Sequence, residues 1–133
     1  MKYYLDTNTI IYAIKGTYPN IVEHFKMTPK ESIVIPQIVI AEIEYGAQKS
    51  SNYEKTIKKY NDFTCNFDVA CFDKKAAEAY GVIRSQLERE GKLIGPNDLI
   101  IASIVVANKG VLVTHNVNEF ERIKDIQIED WTK

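Results

Sequence analysis

The chain has 133 residues and a mass of 15.2 kDa, which fits one domain (residues 1–133) with a core large enough to fold without disulfides. Hydrophobic residues make up 45% and charged residues 26%, so the composition excludes wholesale disorder. The 17 basic and 18 acidic side chains nearly cancel, which excludes a simple basic nucleic-acid-binding protein but leaves open a local basic face or a metal-bridged polyanion.

The first half of the chain alternates short β-prone runs with helical patterns. Asp6 ends the first run and supplies a side-chain cap for the helix that follows. Pro36 closes an apolar, β-branched run typical of a buried strand. The elements predicted here are a strand at 2–5, a helix at 9–14, a short helix at 21–27, a strand at 32–35, a helix at 37–49 and a polar helix at 53–63.

The second half continues the alternation. Asp73 caps a long helix that stops at Gly91, and Pro96-Asn97-Asp98 opens an apolar helix that stops at Gly110. Strands are predicted at 68–72, 111–114 and 126–128. Strands that alternate with helices indicate an α/β domain with a mostly parallel sheet of four to five strands and helices on both faces. Such sheets bind ligands at the carboxyl ends of their strands.

The cysteines and the hydropathy indicate the cellular compartment and whether the protein associates with membranes. Cys65 and Cys71 match no zinc or redox spacing and are too few for a disulfide scaffold. The N-terminal residues lack a signal-peptide pattern, and no stretch reaches the ~20 apolar residues of a membrane span. We expect a cytoplasmic protein that does not associate with membranes.

Four acids stand out by position. Asp6 ends the first strand, and Asp98 lies in the first turn of an apolar helix. Glu42 sits among apolar neighbours, and Glu119 follows the last clear strand in a predicted loop. Each alone has an ordinary explanation, as a helix cap, a dipole partner or a solvated side chain. Only their combination suggests chemistry.

Carboxylates gathered at one sheet edge repel each other unless they are protonated or bridged by a cation. Oxygen ligands without neighbouring Cys or His favour Mg²⁺ or Mn²⁺ over zinc. Such an ion commonly engages substrate phosphates, where it activates water and stabilises charge. The residues therefore predict an acidic metal site in a small α/β domain that acts on phosphodiesters.

The sequence resembles the PIN-domain ribonucleases, specifically the VapC toxins of prokaryotic toxin–antitoxin pairs, over nearly the whole chain. The motifs that carry the resemblance are Tyr4-Leu5-Asp6-Thr7-Asn8, Ala41-Glu42-Ile43-Glu44-Tyr45-Gly46-Ala47, Gly95-Pro96-Asn97-Asp98-Leu99-Ile100-Ile101-Ala102, Leu112-Val113-Thr114-His115-Asn116 followed by Glu119-Phe120, and Ile128-Glu129-Asp130-Trp131. The resemblance implies a PIN fold, Mg²⁺- or Mn²⁺-dependent RNA cleavage, and inhibition by a small antitoxin that covers the acidic cleft.

The family's acidic positions match Asp6, Glu42 and Asp98. The resemblance implies Asp6 and Asp98 as direct metal ligands, and Glu42 as a ligand of the metal or of its bound water. Many PIN domains carry a further aspartate where this chain has Asn116, and Glu119 is the candidate replacement. The number of bound ions therefore stays open.

Several uncharged residues have predicted supporting roles beside these acids. Thr7, Asn8, Thr114 and Asn116 are expected to orient carboxylates or waters. His115 is interpreted as a solvated loop residue. Three tyrosines could stack on RNA bases, but we interpret them as packing inside the protein: Tyr12, Tyr45 and Tyr80.

The function predicted by this combination is a toxin of a type II pair that hydrolyses RNA, with tRNA as one candidate substrate, to 5′-phosphate and 3′-hydroxyl ends. A homodimer is expected. One alternative is a non-catalytic PIN-like module that binds a protein. A second is a phosphatase of haloacid-dehalogenase type, disfavoured because Asn8 occupies the place of its second aspartate.

Overall fold

The structure, a computed structural model, describes residues 1–133 and is built on one five-stranded sheet. All four strand pairings are parallel, and the strand order is β3-β2-β1-β4-β5. The strands are β1 (Tyr3–Leu5), β2 (Ile33–Pro36), β3 (Asp68–Ala70), β4 (Val111–Val113) and β5 (Gln127–Glu129).

Seven α-helices and one short 3₁₀ turn (Lys30–Ser32) connect the strands. Beyond its first turn, helix α6 is apolar on nearly all sides and packs along α5, whereas α3 packs along α4. The helices are α1 (Thr7–Lys15), α2 (Pro19–Met27), α3 (Gln37–Lys49), α4 (Tyr53–Thr64), α5 (Lys74–Arg89), α6 (Pro96–Ala107) and α7 (Val117–Phe120).

The strand order places a topological switch between β1 and β4. The chain builds outward from β1 through β2 to β3, then returns to pair β4 on the other side of β1. Right-handed crossovers then put the helices before β3 on one face and those after it on the other. Ligands bind where the strand order reverses. Leu5 pairs with Val113 there, so the next residues, Asp6 and Thr114, lie side by side.

The core is a single cluster of 25 buried hydrophobic residues. The strands β2 and β4, which are buried at every position, contribute to this core together with the buried apolar residues of α6. Trp131, near the C-terminus, is also buried and stacks on His24 with ring centroids 5.1 Å apart. No helix combines the length and the apolar character needed to cross a membrane.

The α/β class, the five strands and the parallel sheet agree with the sequence prediction, and every predicted element is present. Two details differ. Strand β3 ends at Ala70 rather than residue 72, and Glu119 lies in the short helix α7 rather than in a loop. Four residues make about one helical turn, which is too short to leave a periodic pattern in the sequence.

Candidate active site

Asp6 is the most buried of the four acids, with 7% of the residue exposed. It caps α1, because its Oδ1 accepts a hydrogen bond from the backbone N–H of Thr9 at 2.9 Å. Its Oδ2 accepts from the hydroxyl of Thr114 at 2.6 Å. Burial raises the pKa of Asp6, and the donors from Thr114 and Thr9 oppose that rise. The carboxylate is therefore fixed in orientation, but its ionisation costs free energy because it is buried.

Glu42 faces the same cleft from α3. Its Oε1 accepts a hydrogen bond from the hydroxyl of Thr7 at 2.5 Å, and its Oε2 accepts from the side-chain amide of Asn97 at 3.3 Å. Thr7 begins α1 and Asn97 lies in the first turn of α6, so three helices meet at this carboxylate.

Asp98 and Glu119 form the other side of the cleft. Burial and the neighbouring charge of Glu119 raise the pKa of Asp98 to about 7, with smaller contributions from Glu42 and Asp6. Glu119 accepts hydrogen bonds from the backbone N–H of Gly95 at 3.2 Å and from the side-chain amide of Asn116. The four acids therefore share one electrostatic environment.

No basic side chain neutralises this cluster. None of the four ion pairs in the chain includes any of the four acids. No three acidic, His or Cys groups converge closely enough to enclose an ion, and both Glu42 and Glu119 accept hydrogen bonds from neutral donors. The donor set nevertheless suits a hard divalent cation: it offers only oxygen ligands, and a cation relieves the repulsion that raises the pKa of Asp98.

Of the remaining predicted site residues, some contact the acids of the cleft and others do not. Thr7, Thr114 and Asn116 each donate to an acid of the cleft, and the backbone N–H of Asn116 also donates to the Thr114 hydroxyl at 3.0 Å. Asn8 is exposed and its side chain makes no hydrogen bond. His115 is held rather than merely solvated, since its Nδ1 lies 3.0 Å from a carboxylate oxygen of Asp130.

Three contributors to the site escaped sequence reasoning. The hydroxyl of Thr9 is buried and donates to the Val113 carbonyl at 3.2 Å, which ties α1 to β4. Gly95 and Asn97 donate to Glu119 and Glu42. For Gly95 and Asn97, the signal available in the sequence was their position within the three residues before Asp98. Among the tyrosines, Tyr12 and Tyr80 pack against the core, but Tyr45 is 66% exposed, so its packing interpretation is wrong.

The fold and the site together define the class of protein: a small α/β domain with an acidic cleft, suited by its oxygen donors to a hard divalent cation, at the switch point of a parallel sheet. The family model for the PIN domain matches residues 3–126. The ribonuclease VapC2 of Rickettsia felis is 38% identical over 134 residues, with all of both chains covered. The chain therefore belongs to the PIN-domain family, among the VapC ribonucleases.

Two further comparisons agree. The tRNA(fMet)-specific endonuclease VapC of Salmonella typhimurium is 39% identical, with 98% of each chain covered. A crystal structure of DNA-bound VapBC from the same organism superposes with a TM-score of 0.93 at 39% identity, again over 98% of each chain. Ribonuclease relatives over the full length favour RNA hydrolysis over the phosphatase and the non-catalytic binding module. PIN-domain ribonucleases depend in general on divalent metal ions, which agrees with the donor set.

Proposed function

We propose that this chain is the toxin of a type II toxin–antitoxin pair and hydrolyses RNA phosphodiesters with Mg²⁺, for which Mn²⁺ can substitute. The observation that carries the proposal is the cleft itself: four acids at the carboxyl edge of the sheet, with no basic partner. Without a cation, such a cleft repels a phosphate. With one, it becomes a site for the phosphate of a polyanion.

Asp6, Asp98 and Glu42 would hold the ion, and a bound divalent cation would activate water and stabilise negative charge on the attacked phosphate. Thr114 and the Thr9 N–H fix the Asp6 carboxylate, while Thr7 and Asn97 fix Glu42. Glu119 adds negative charge beside Asp98 and completes the acidic set, with Asn116 as its hydrogen-bond donor. These contacts orient ligands before substrate arrives.

Attack by water, rather than by the ribose 2′-hydroxyl, leaves 5′-phosphate and 3′-hydroxyl ends. We propose tRNA as the first substrate class to examine, because one relative is named as a tRNA(fMet)-specific endonuclease. The basis for a tRNA target is thus the relative's name, and the cleft residues do not encode it.

A cognate antitoxin is the proposed protein partner, since solved structures similar to this chain are VapBC complexes. The antitoxin would cover the acidic cleft, where a basic side chain could neutralise the carboxylates. We also propose that residues 1–133 act as one domain, that the toxin forms a homodimer, and that it works in the cytoplasm, where its RNA targets are.

The test is incubation of antitoxin-free protein with total tRNA and ribosomal RNA in Mg²⁺, in Mn²⁺ and in EDTA, beside Asp98→Asn. The expected result is discrete fragments that require metal, disappear with Asp98→Asn, and carry 5′-phosphates that accept adaptor ligation directly. Cyclic-phosphate ends would contradict the hydrolytic mechanism. Intact RNA from folded, Mn²⁺-binding protein would contradict the nuclease function.

A further inference from the structure

A second groove, unlike the acidic cleft in charge, lies where the C-terminal ends of α1 and α3 meet the start of α4. It has a volume of about 440 Å³ and is lined by Lys15, Lys55 and Lys59. The polar residues that also line it are Ser50, Ser51 and Asn52. We refer to this region as the lysine groove.

A smaller cavity of about 100 Å³ lies between the lysine groove and the acidic cleft and shares lining residues with both. Thr7 and Glu42 line it on the side of the cleft. Gly46, Thr56 and Tyr60 line both this cavity and the lysine groove. Glu42 and Gly46 are four residues apart on α3, so they share one helix face about 6 Å apart along the axis. The two sites are therefore close neighbours on the surface around α3.

The three lysines are available for a ligand. All three are exposed, and none takes part in an ion pair. Lys58, which lies between two of them in the sequence, is instead paired with Asp62 at 2.9 Å and does not line the groove. In a chain with a net charge of −1, three unpaired cations in one concave surface form a local site for a polyanion.

We propose that the lysine groove binds the sugar–phosphate backbone of single-stranded RNA next to the phosphodiester in the acidic cleft. The inference rests on the proposed nuclease function and extends it to the path of the substrate. An endonuclease cuts inside a chain, so the RNA must continue away from the cleft. The neighbouring lysine groove lies in its path from Glu42, and there each ammonium of Lys15, Lys55 and Lys59 can contact a phosphate.

The first test compares two triple variants with equal charge changes in a non-cleaving Asp98→Asn background. The groove variant carries Lys15→Gln, Lys55→Gln and Lys59→Gln. The matched control carries three exposed lysines outside the groove: Lys26→Gln, Lys58→Gln and Lys74→Gln. Fluorescence anisotropy of a labelled, mixed-sequence RNA oligonucleotide in Mg²⁺ measures Kd at several salt concentrations, and circular dichroism confirms that both variants fold.

Loss of three phosphate contacts should weaken RNA binding by the groove variant on the order of tenfold at low salt and flatten its salt dependence by about 2 in log–log slope. The control should bind like the parent. Equal losses in both variants would overturn the proposal, because they would reflect net charge alone. Groove lysines that affect only antitoxin binding, with RNA binding unchanged, would also overturn it.

A second test blocks the path without changing charge. A side-chain Cβ added at Gly46 meets no atom within 4 Å, and the same is true of Gly81 on α5, far from the groove lining. Gly46→Leu should therefore fold, obstruct the smaller cavity and weaken RNA binding severalfold, whereas Gly81→Leu should not. Equal binding by the two variants would contradict the path. Absence of cleavage by the wild-type protein would instead contradict the nuclease function, and the two failures are thereby separable.

Discussion

The acidic cleft has two unlike halves. In the inner half, Asp6 and Thr114 are buried, and each oxygen of the carboxylate has a donor. In the outer half, Glu119 and Asn116 lie nearer the surface and contact each other across three residues of sequence. The inner contact joins residues 108 positions apart. The sheet therefore fixes the position of the Asp6 carboxylate, whereas the short helix α7 contributes the more exposed negative charge of Glu119.

This difference separates two physical tasks. A buried carboxylate cannot relax when its partner is removed, so the inner half should tolerate little change. The outer half acts mainly through the charge of Glu119, which adds to the effect of burial in raising the pKa of Asp98 and is screened by solvent. Mutations should therefore have graded effects, from the inner half outward.

The largest effect is expected for Asp6→Asn, which removes the buried charge while keeping a capping side chain. RNA cleavage should fall on the order of a thousandfold, measured by single-turnover kinetics in Mg²⁺. The matched control is Asp73→Asn, because Asp73 caps α5 with the same geometry at 3.0 Å but lies outside the cleft. Similar losses in both variants would mean that capping, not ligation, explains the role of Asp6.

Thr114→Val should come next. It deletes the hydroxyl that donates to Asp6 without changing the shape of the side chain. Metal affinity should drop about 10- to 100-fold, and the free energy of unfolding should fall by about 1–3 kcal/mol. Isothermal titration with Mn²⁺ and chemical denaturation measure the two effects. Thr114→Ser should restore most of both, and failure of that rescue would indicate that packing of the methyl group dominates.

In the outer half, Glu119→Gln should reduce cleavage about tenfold, and more than Asn116→Ala does. The reason is that Glu119 provides negative charge beside Asp98, while Asn116 only donates a hydrogen bond to Glu119. Glu119→Gln should also lower the pKa of Asp98, measured by carboxyl-carbon NMR in metal-free protein. A greater loss from Asn116→Ala would assign Asn116 as the more important of the two.

The smallest effect concerns stability and pH in metal-free protein. The folded-state pKa of Asp98, about 7, exceeds its ordinary value of 3.8, so the folded chain holds that proton more tightly. The stabilisation is complete below about pH 4 and is lost as pH rises through about 7. Asp98→Asn should therefore stabilise the protein more at pH 8 than at pH 5, by on the order of 1 kcal/mol after solvent screening. Equal shifts in Tm at both pH values, recorded in EDTA, would contradict this.

Particular residues show how far sequence reasoning reached. The caps at Asp6 and Asp73 and the β-prone runs at residues 32–35 and 111–114 predicted their elements, because capping and burial follow from local chemistry. Helix α7 escaped because it is too short to be periodic. The exposure of Tyr45 escaped because an aromatic side chain on a helix carries no local sign of which face is covered.

The sequence by itself determined the alternating elements, the identities of Asp6, Glu42, Asp98 and Glu119, and the family, because these depend on residue type and local spacing. Only the tertiary structure decided which groups meet: the Thr114 hydroxyl on Asp6, the Asn97 amide on Glu42, and the Gly95 N–H on Glu119. It also placed three lysines around one groove. The physical reason is that such contacts arise from the pairing of strands and helices distant in sequence, which local propensities do not encode.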